Sequence, residues 1–149
     1  MSAITVENAT KQDFIPLMRE LVRAYQAFAA HDAAGYRNTD LTVSQADVLF
    51  TLGNTEGLTF KEIGDQTLIT KGTLTGVIDR MEEKGMVCRV AMPDDRRCTK
   101  VVLTAKGDKL FNKEFPRQID FIKQRFDRLD KKSKKQALES LKKIHEIFS

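Results

Sequence analysis

Apolar residues first recur at helical spacing between Asp13 and about Ala34, at Phe14, Leu17, Met18, Leu21, Val22, Tyr25 and Phe28. Asp13 is placed to cap this helix, Pro16 falls in its first turn, where a missing N–H costs little, and Gly35 is a natural stop. A second helical pattern follows in Ala46, Val48, Leu49 and Leu52, opened by Thr42 with Gln45 as a capping box and closed near Gly53-Asn54. After a turn at Thr55-Glu56-Gly57, Thr59 and Glu62 form another capping box, and Leu58 with Ile63 occupies the two positions of a hydrophobic staple. That helix is short and ends by about Gln66. The next starts near Thr70 and stops at Gly85, with Leu74, Val77, Ile78 and Met81 making one buried stripe.

Beyond Gly85 the period changes. Met86 to Ala91 and Thr99 to Thr104 are short and rich in Val and Thr, and a polar segment, Met92 to Cys98, separates them. This predicts a β-hairpin with a charged, exposed tip. Thr104 is placed to cap a long helix through Leu110, Phe111, Phe115, Ile119, Ile122, Phe126 and Leu129, with a kink expected at Pro116. Ser133 and Gln136 read as the capping box of a last helix, with Leu138, Leu141, Ile144, Ile147 and Phe148 on its apolar side. The lysine cluster at Lys131-Lys132-Ser133-Lys134-Lys135 reads as a solvated loop between the two. The whole is mainly α with a small two-stranded β-hairpin wing: a winged helix-turn-helix with further helices on either side. Its expected divisions are residues 1–40, 41–104 and 105–149.

Composition narrows the classes. The 149 residues hold 41% hydrophobic and 31% charged side chains, a balance of a globular chain rather than a disordered polyelectrolyte. No apolar run approaches the roughly 18 residues of a membrane span, and no basic n-region with an apolar stretch opens the chain. Two cysteines cannot staple a domain of this length, so a reducing cytoplasm is expected. The net charge is only +4 but unevenly spread: residues 1–60 carry 4 basic and 7 acidic groups, residues 61–149 carry 21 and 14. One part of the molecule should be electropositive, making polyanions candidate partners.

The chemistry points to duplex DNA. A helix with its side chains fits the major groove, provided the end that enters carries small and polar residues. With the Leu74–Met81 stripe turned inward, the outward sector of the Thr70–Gly85 helix holds Gly72, Thr75, Gly76, Asp79 and Glu83, flanked by Lys71, Thr73 and Arg80. Gly72 and Gly76 each weaken a helix interior by roughly 1 kcal/mol relative to Ala, and close approach of another surface explains them better than packing. At the hairpin tip, Arg96 and Arg97 project to opposite sides, so one can reach a minor groove, and Asp95 is placed to hold Arg97 by a charge-assisted hydrogen bond.

The stretch from Leu41 to Gly107 resembles the DNA-binding core of the MarR family of bacterial and archaeal transcriptional regulators. Leu41-Thr42 with Gln45, the Thr70–Gly85 helix, and Asp95-Arg96-Arg97 followed by Val101, Leu103, Thr104 and Gly107 carry the likeness. The resemblance implies a homodimer built from the first helix and the last two, bound to a pseudo-palindromic operator. It puts Thr70, Lys71, Thr73 and Thr75 at bases and phosphates, Arg97 in the minor groove beside Asp95, and Lys61 at a phosphate. It also implies a small lipophilic, aromatic or anionic effector that biases the spacing of the recognition helices, with Tyr25, Phe28, His31, Tyr36, Arg37 and Phe50 as candidate pocket residues. The expected output is repression.

Other chemistries find little to stand on. There is no nucleotide-binding glycine fingerprint, nucleophile elbow or paired catalytic motif, so no enzyme and no cofactor is expected. His31 and His145 share no ligand spacing, so no metal is expected. Two rivals stay open: a winged helix used only as a protein-interaction module, and a thiol-responsive regulator. The latter would use Cys98, its pKa lowered by Arg96 and Arg97. A turn centred on Asp94-Asp95 would pair Ala91 with Cys98 and Cys88 with Val101, leaving the two thiols on opposite faces and unable to form a disulfide.

Overall fold

Short polar side chains set most of the helix starts. The computed structural model describes residues 3–95 and 97–149. In it, Thr42 Oγ1 accepts the Gln45 N–H at 3.1 Å while Gln45 Oε1 accepts the Thr42 N–H at 3.3 Å. This opens α3 (Val43–Leu52). Thr59 and Glu62 exchange the same pair at 3.2 and 2.8 Å and open α4 (Phe60–Gln66). Each box satisfies two N–H groups that a helix start leaves without partners.

Residues 1–37 form one compact unit and residues 38–149 another. The first holds α1 (Val6–Ala9) and α2 (Ile15–Ala34). The four-residue α1 has no apolar periodicity long enough to announce it. Asp13 does not cap α2: Phe14 is the capping residue, already helical in conformation, and no side chain bonds there. The chain instead enters through a turn in which the Ile15 N–H reaches the Gln12 carbonyl at 3.2 Å. Gly35 ends α2 as expected, its N–H on the Asp32 carbonyl at 3.1 Å.

In the second unit, α5 (Lys71–Glu83) follows α4, then β2 (Val87–Ala91) and β3 (Thr99–Leu103). The residues expected in the core are there: Ala46, Val48, Leu49, Leu52, Ile63, Leu74, Val77, Ile78 and Met81 are buried together with Val87, Val101 and Phe111. The turn after α5 is a Schellman stop. Gly85 takes φ +74°, its N–H reaches the Glu82 carbonyl at 2.9 Å, and the Met86 N–H reaches the Met81 carbonyl at 2.9 Å.

The wing has three strands, not two. Leu58–Thr59 forms β1 and pairs antiparallel with β3, giving the order β1-β3-β2. Two residues make too short a run to show alternation, and only the distant partner makes them a strand. The hairpin register also lies one residue from expectation: Ala91 faces Thr99 and Cys88 faces Val102. The connection is longer than a turn centred on Asp94-Asp95, because Cys98 stays outside β3 and only its carbonyl accepts the Met92 N–H, at 3.0 Å.

Thr104 caps α6 (Ala105–Phe126) by accepting the Gly107 N–H at 3.1 Å, and the helix runs on through Pro116. Leu129 lies beyond its end. The last helix, α7 (Lys131–Phe148), begins earlier than the Ser133/Gln136 box predicts. Asp130 is its cap, accepting the Ser133 N–H at 2.7 Å, so the lysine cluster is the first turn of α7 rather than a loop. Four lysines at a helix N-terminus oppose the macrodipole, and the Asp130 carboxylate offsets them.

Candidate nucleic-acid interface

The outward side of α5 is built as the 3.6-residue period requires. Leu74, Val77, Ile78 and Met81 are buried, while Lys71, Gly72, Thr73, Thr75, Asp79, Arg80 and Glu83 are exposed and Gly76 is half-buried. A Cβ built on Gly72 or Gly76 would meet no atom within 4 Å. The chain's own packing therefore does not require either glycine. Gly107, by contrast, has the Met86 carbonyl oxygen 2.0 Å from such a Cβ and cannot be anything larger. Thr70 stands at the start of α5 but its side chain does not cap it; the Thr70 hydroxyl donates to Thr73 Oγ1 at 3.0 Å instead. The positive end of the α5 dipole thus faces outward among hydroxyls and Lys71, as an anion-seeking helix end should.

Lys61 sits in the first turn of α4, exposed. A groove of about 510 Å³ between α4 and α5 is lined by Lys61, Gly64, Asp65, Ile69, Lys71 and Thr75. A smaller depression of about 330 Å³ is lined by Lys61, Phe60, Arg89, Arg97, Cys98 and Thr99. Lys61 therefore lies where the recognition-helix side meets the wing side. Lys61 shares one groove with Lys71 and Thr75 and a second with Arg97, residues chosen from separate stretches of sequence.

At the wing tip Asp95 anchors Arg97, but by a different bond from the one expected. Asp95 Oδ1 accepts the backbone N–H of Arg97 at 3.0 Å, and the guanidinium is not the group held. An aspartate bonding the backbone two residues on is the ordinary way a short acidic side chain closes a turn. Arg96 lies outside the described residues. The expected activation of Cys98 by arginine is also overturned: the Asp95 charge pushes the exposed Cys98 thiol above its ordinary pKa, with a weak hydrogen bond from Sγ to Asp95 Oδ2 at 3.6 Å in the same direction. Cys88 and Cys98 are both free. Because Cys88 faces Val102, the thiols lie four positions apart along the hairpin, roughly 13 Å for extended chain, and this separation rather than opposite faces keeps them from bonding.

The candidate effector residues divide between the units. Tyr25, Phe28, His31, Tyr36 and Arg37 belong to the first and Phe50 to the second. Phe50 packs edge-on to Phe111 and Phe115, with ring centroids 6.4 and 5.1 Å away, as part of an aromatic cluster of its own unit. Among the described residues no group of three or more His, Cys, Asp or Glu side chains could hold a metal ion, and no helix is long and apolar enough to cross a membrane.

Two features escape the sequence. Arg89, inside β2, reaches Asp79 at 2.5 Å and Glu82 at 2.7 Å on α5 and lies over the Phe60 ring at 5.5 Å. A charged residue breaking the apolar run Val87-Cys88-Arg89-Val90 was the available signal. Leu68, just ahead of α5, is 79% exposed.

A helix-turn-helix with its second helix bared on a small polar face, followed by an arginine-tipped sheet, defines a winged helix-turn-helix protein. The chain belongs to the MarR family, whose model matches residues 41–99. It is 31% identical to the HTH-type transcriptional regulator MhqR of Bacillus subtilis over 124 residues, 83% of this chain and 86% of the relative. Its fold is that of Sco3205 of Streptomyces coelicolor, a MarR family regulator solved in complex with DNA (TM-score 0.79, 22% identity, 100% of this chain and 92% of the other). It is also that of BpsR of Bordetella bronchiseptica, whose DNA binding is regulated by 6-hydroxynicotinic acid (TM-score 0.76, 24% identity, 97% and 98% covered).

Proposed function

We propose that the protein is a homodimeric regulator of transcription that binds double-stranded DNA in a sequence-specific way. The N-terminal half of α5, Thr70 to Gly76, enters the major groove; Arg97 enters the flanking minor groove; Lys61 meets a phosphate. The observation that carries this is the pair Gly72 and Gly76, exposed or half-exposed four residues apart with empty space at both Cβ positions. Such bareness weakens the helix and is repaid only by something that comes close. The acidic residues of α5 lie in its second half, away from the entering end.

A second copy of the chain is the partner we propose for the unpartnered apolar side chains. Phe14, Leu17, Met18, Val22 and Tyr25 of the first unit are each about half exposed, and Ile147 and Phe148 at the end of α7 are 75% and 81% exposed. Large apolar side chains left in water along helices mark an interaction surface. We further propose control by a small anionic aromatic effector, for which a thermal-shift screen with aromatic acids is the direct test.

Selection of bound duplexes from a random pool, followed by salt titration of the selected site, tests the reading. With roughly 6–10 phosphates neutralised per dimer, affinity should fall by about 10³–10⁵ between 50 and 200 mM salt. No enriched site, or a flat salt response, would favour a winged helix that serves protein contacts only. The exposed side of α5 argues against that rival, since glycines, threonines and Lys71 make no apolar patch.

A further inference from the structure

We propose that Arg89 is a positioning residue for DNA binding: it ties the wing to the recognition helix and screens the two α5 carboxylates that a phosphate backbone would otherwise meet. The inference rests on the DNA-binding reading above and deepens it. Arg89 lies in β2, directly across from the buried Val101 of β3. Its Nη2 donates to Asp79 Oδ1 at 2.5 Å and its Nη1 to Glu82 Oε1 at 2.7 Å. Its own backbone N–H also reaches Glu82 Oε2, at 3.3 Å. The guanidinium carbon stands 5.5 Å from the Phe60 ring centroid of α4. One side chain therefore touches both helices of the helix-turn-helix and belongs to the wing.

Asp79 and Glu82 are three residues apart and so share a side of α5. A planar guanidinium presents separate N–H groups to two carboxylates at once, which a lysine ammonium does less well. Both carboxylates also hold the guanidinium pKa above its ordinary value, Asp79 foremost, so the positive charge is permanent. All three side chains are partly exposed, at 31%, 51% and 40%. Ion pairs so exposed add little to folding. Their consequence is electrostatic and geometric. Without Arg89, two uncompensated negative charges would stand on the recognition helix, and the wing would lose its polar tie to it. The acids of α5 lie away from its entering end, and a cation is seated on two of the three.

The test uses the full-length protein on its selected duplex, with affinity followed by fluorescence anisotropy across salt. Wild type is compared with Arg89→Gln, Arg89→Lys, Asp79→Asn/Glu82→Gln and the triple variant, and the thermal midpoint and oligomeric state of each are measured. Arg89→Gln should weaken binding by about tenfold or more, and Arg89→Lys by less. The triple variant should return to within about threefold of wild type with an unchanged salt slope, because the charges to be screened are gone, neutral amides can still hydrogen-bond between wing and helix, and no phosphate contact is lost. A triple variant as weak as Arg89→Gln, with a salt slope reduced by about one per subunit, would mean that Arg89 itself grips a phosphate and would overturn the proposal. So would an Arg89→Gln protein that binds like wild type, or one whose loss of binding follows its loss of folded protein. If wild type itself shows no salt-dependent duplex binding, the DNA reading fails first and takes this inference with it.

Discussion

Asp95 holds the backbone N–H of Arg97 at 3.0 Å through its carboxylate, and its carbonyl accepts the Cys98 N–H at 3.0 Å. The wing tip is thus closed by one residue, and the arginine extends from a fixed piece of backbone. Arg97→Ala should weaken operator binding by at least about 1 kcal/mol and leave the oligomeric state unchanged. Asp95→Ala should cost less, because the guanidinium survives while its anchor loosens. Asp95→Asn, whose amide oxygen still accepts, should cost least. Anisotropy titrations of the three variants give that order directly, and an Arg97→Ala protein with wild-type affinity would argue against minor-groove insertion.

The same aspartate governs the neighbouring thiol. The Asp95 charge disfavours a Cys98 thiolate, so at a given pH less of the reactive form is present than in an ordinary exposed cysteine. Asp95→Asn removes that charge and lowers the thiol pKa toward its ordinary value. Iodoacetamide alkylation of Cys98 near pH 8 should therefore be slow in wild type and faster in Asp95→Asn, with Cys88→Ser used to isolate the signal. Equal rates would show that Asp95 does not set the thiol.

Glycines at different places should respond in opposite ways. Gly76→Ala fills empty space in a helix interior and should stabilise the fold by about 0.5–1 kcal/mol while weakening duplex binding. Gly107→Ala drives a methyl to within 2.0 Å of the Met86 carbonyl oxygen and should destabilise by roughly 1–3 kcal/mol. Urea unfolding and duplex titration separate the effects. A Gly76→Ala protein that binds DNA as well as wild type would remove the main support for close approach by α5.

These contrasts show which features a sequence carries openly. The boxes at Thr42/Gln45 and Thr59/Glu62 were legible because donor and acceptor lie three residues apart, and the α5 stripe because its period is local. The strand Leu58–Thr59 was not, since it exists only through β3 some forty residues on. The Ser133/Gln136 motif misled because Asp130, three residues earlier, offers Ser133 a charged acceptor and takes the start of α7 for itself. In the candidate site, Lys61, Lys71, Thr75 and Arg97 were recognisable one by one, but Arg89 is defined by partners ten and seven residues away on another element.

The junction of α6 and α7 should be the acid-sensitive part of the second unit. Asp127 is held below the ordinary carboxylate range by hydrogen bonds from Lys123 and Lys134, and Asp130 by its bonds from Ser133. A carboxylate with a lowered folded-state pKa stabilises the fold above its unfolded value, near pH 4, and that contribution fades as pH falls through the lowered value. The protection of amides at the start of α7, taken against the intrinsic exchange rate at each pH, should therefore fall below about pH 4, before that of the α3–α5 core. Asp130→Asn should show faster exchange there already at neutral pH and a weaker acid response. An α7 start that is as protected at pH 3 as at pH 7 would contradict this.

The end of α7 gives the sharpest test of self-association. Ile147 and Phe148 are the last apolar side chains of the helix and, among the described residues, are left 75% and 81% exposed. Burying a large apolar side chain is worth roughly 1.5–3 kcal/mol, so two residues on each of two copies supply much of what a stable dimer needs. Replacing both with Asp would place carboxylates in that contact and leave the monomer fold, which does not use them, intact. Sedimentation should then report a dimer for wild type and a shift toward monomer for Ile147→Asp/Phe148→Asp, with helix content retained. The double variant should also lose most of its operator affinity, because a single recognition helix reads only half of a two-fold site. A double variant that still sediments as a dimer would place the interface elsewhere. One that is monomeric yet binds the operator as tightly as wild type would separate DNA binding from dimerisation altogether.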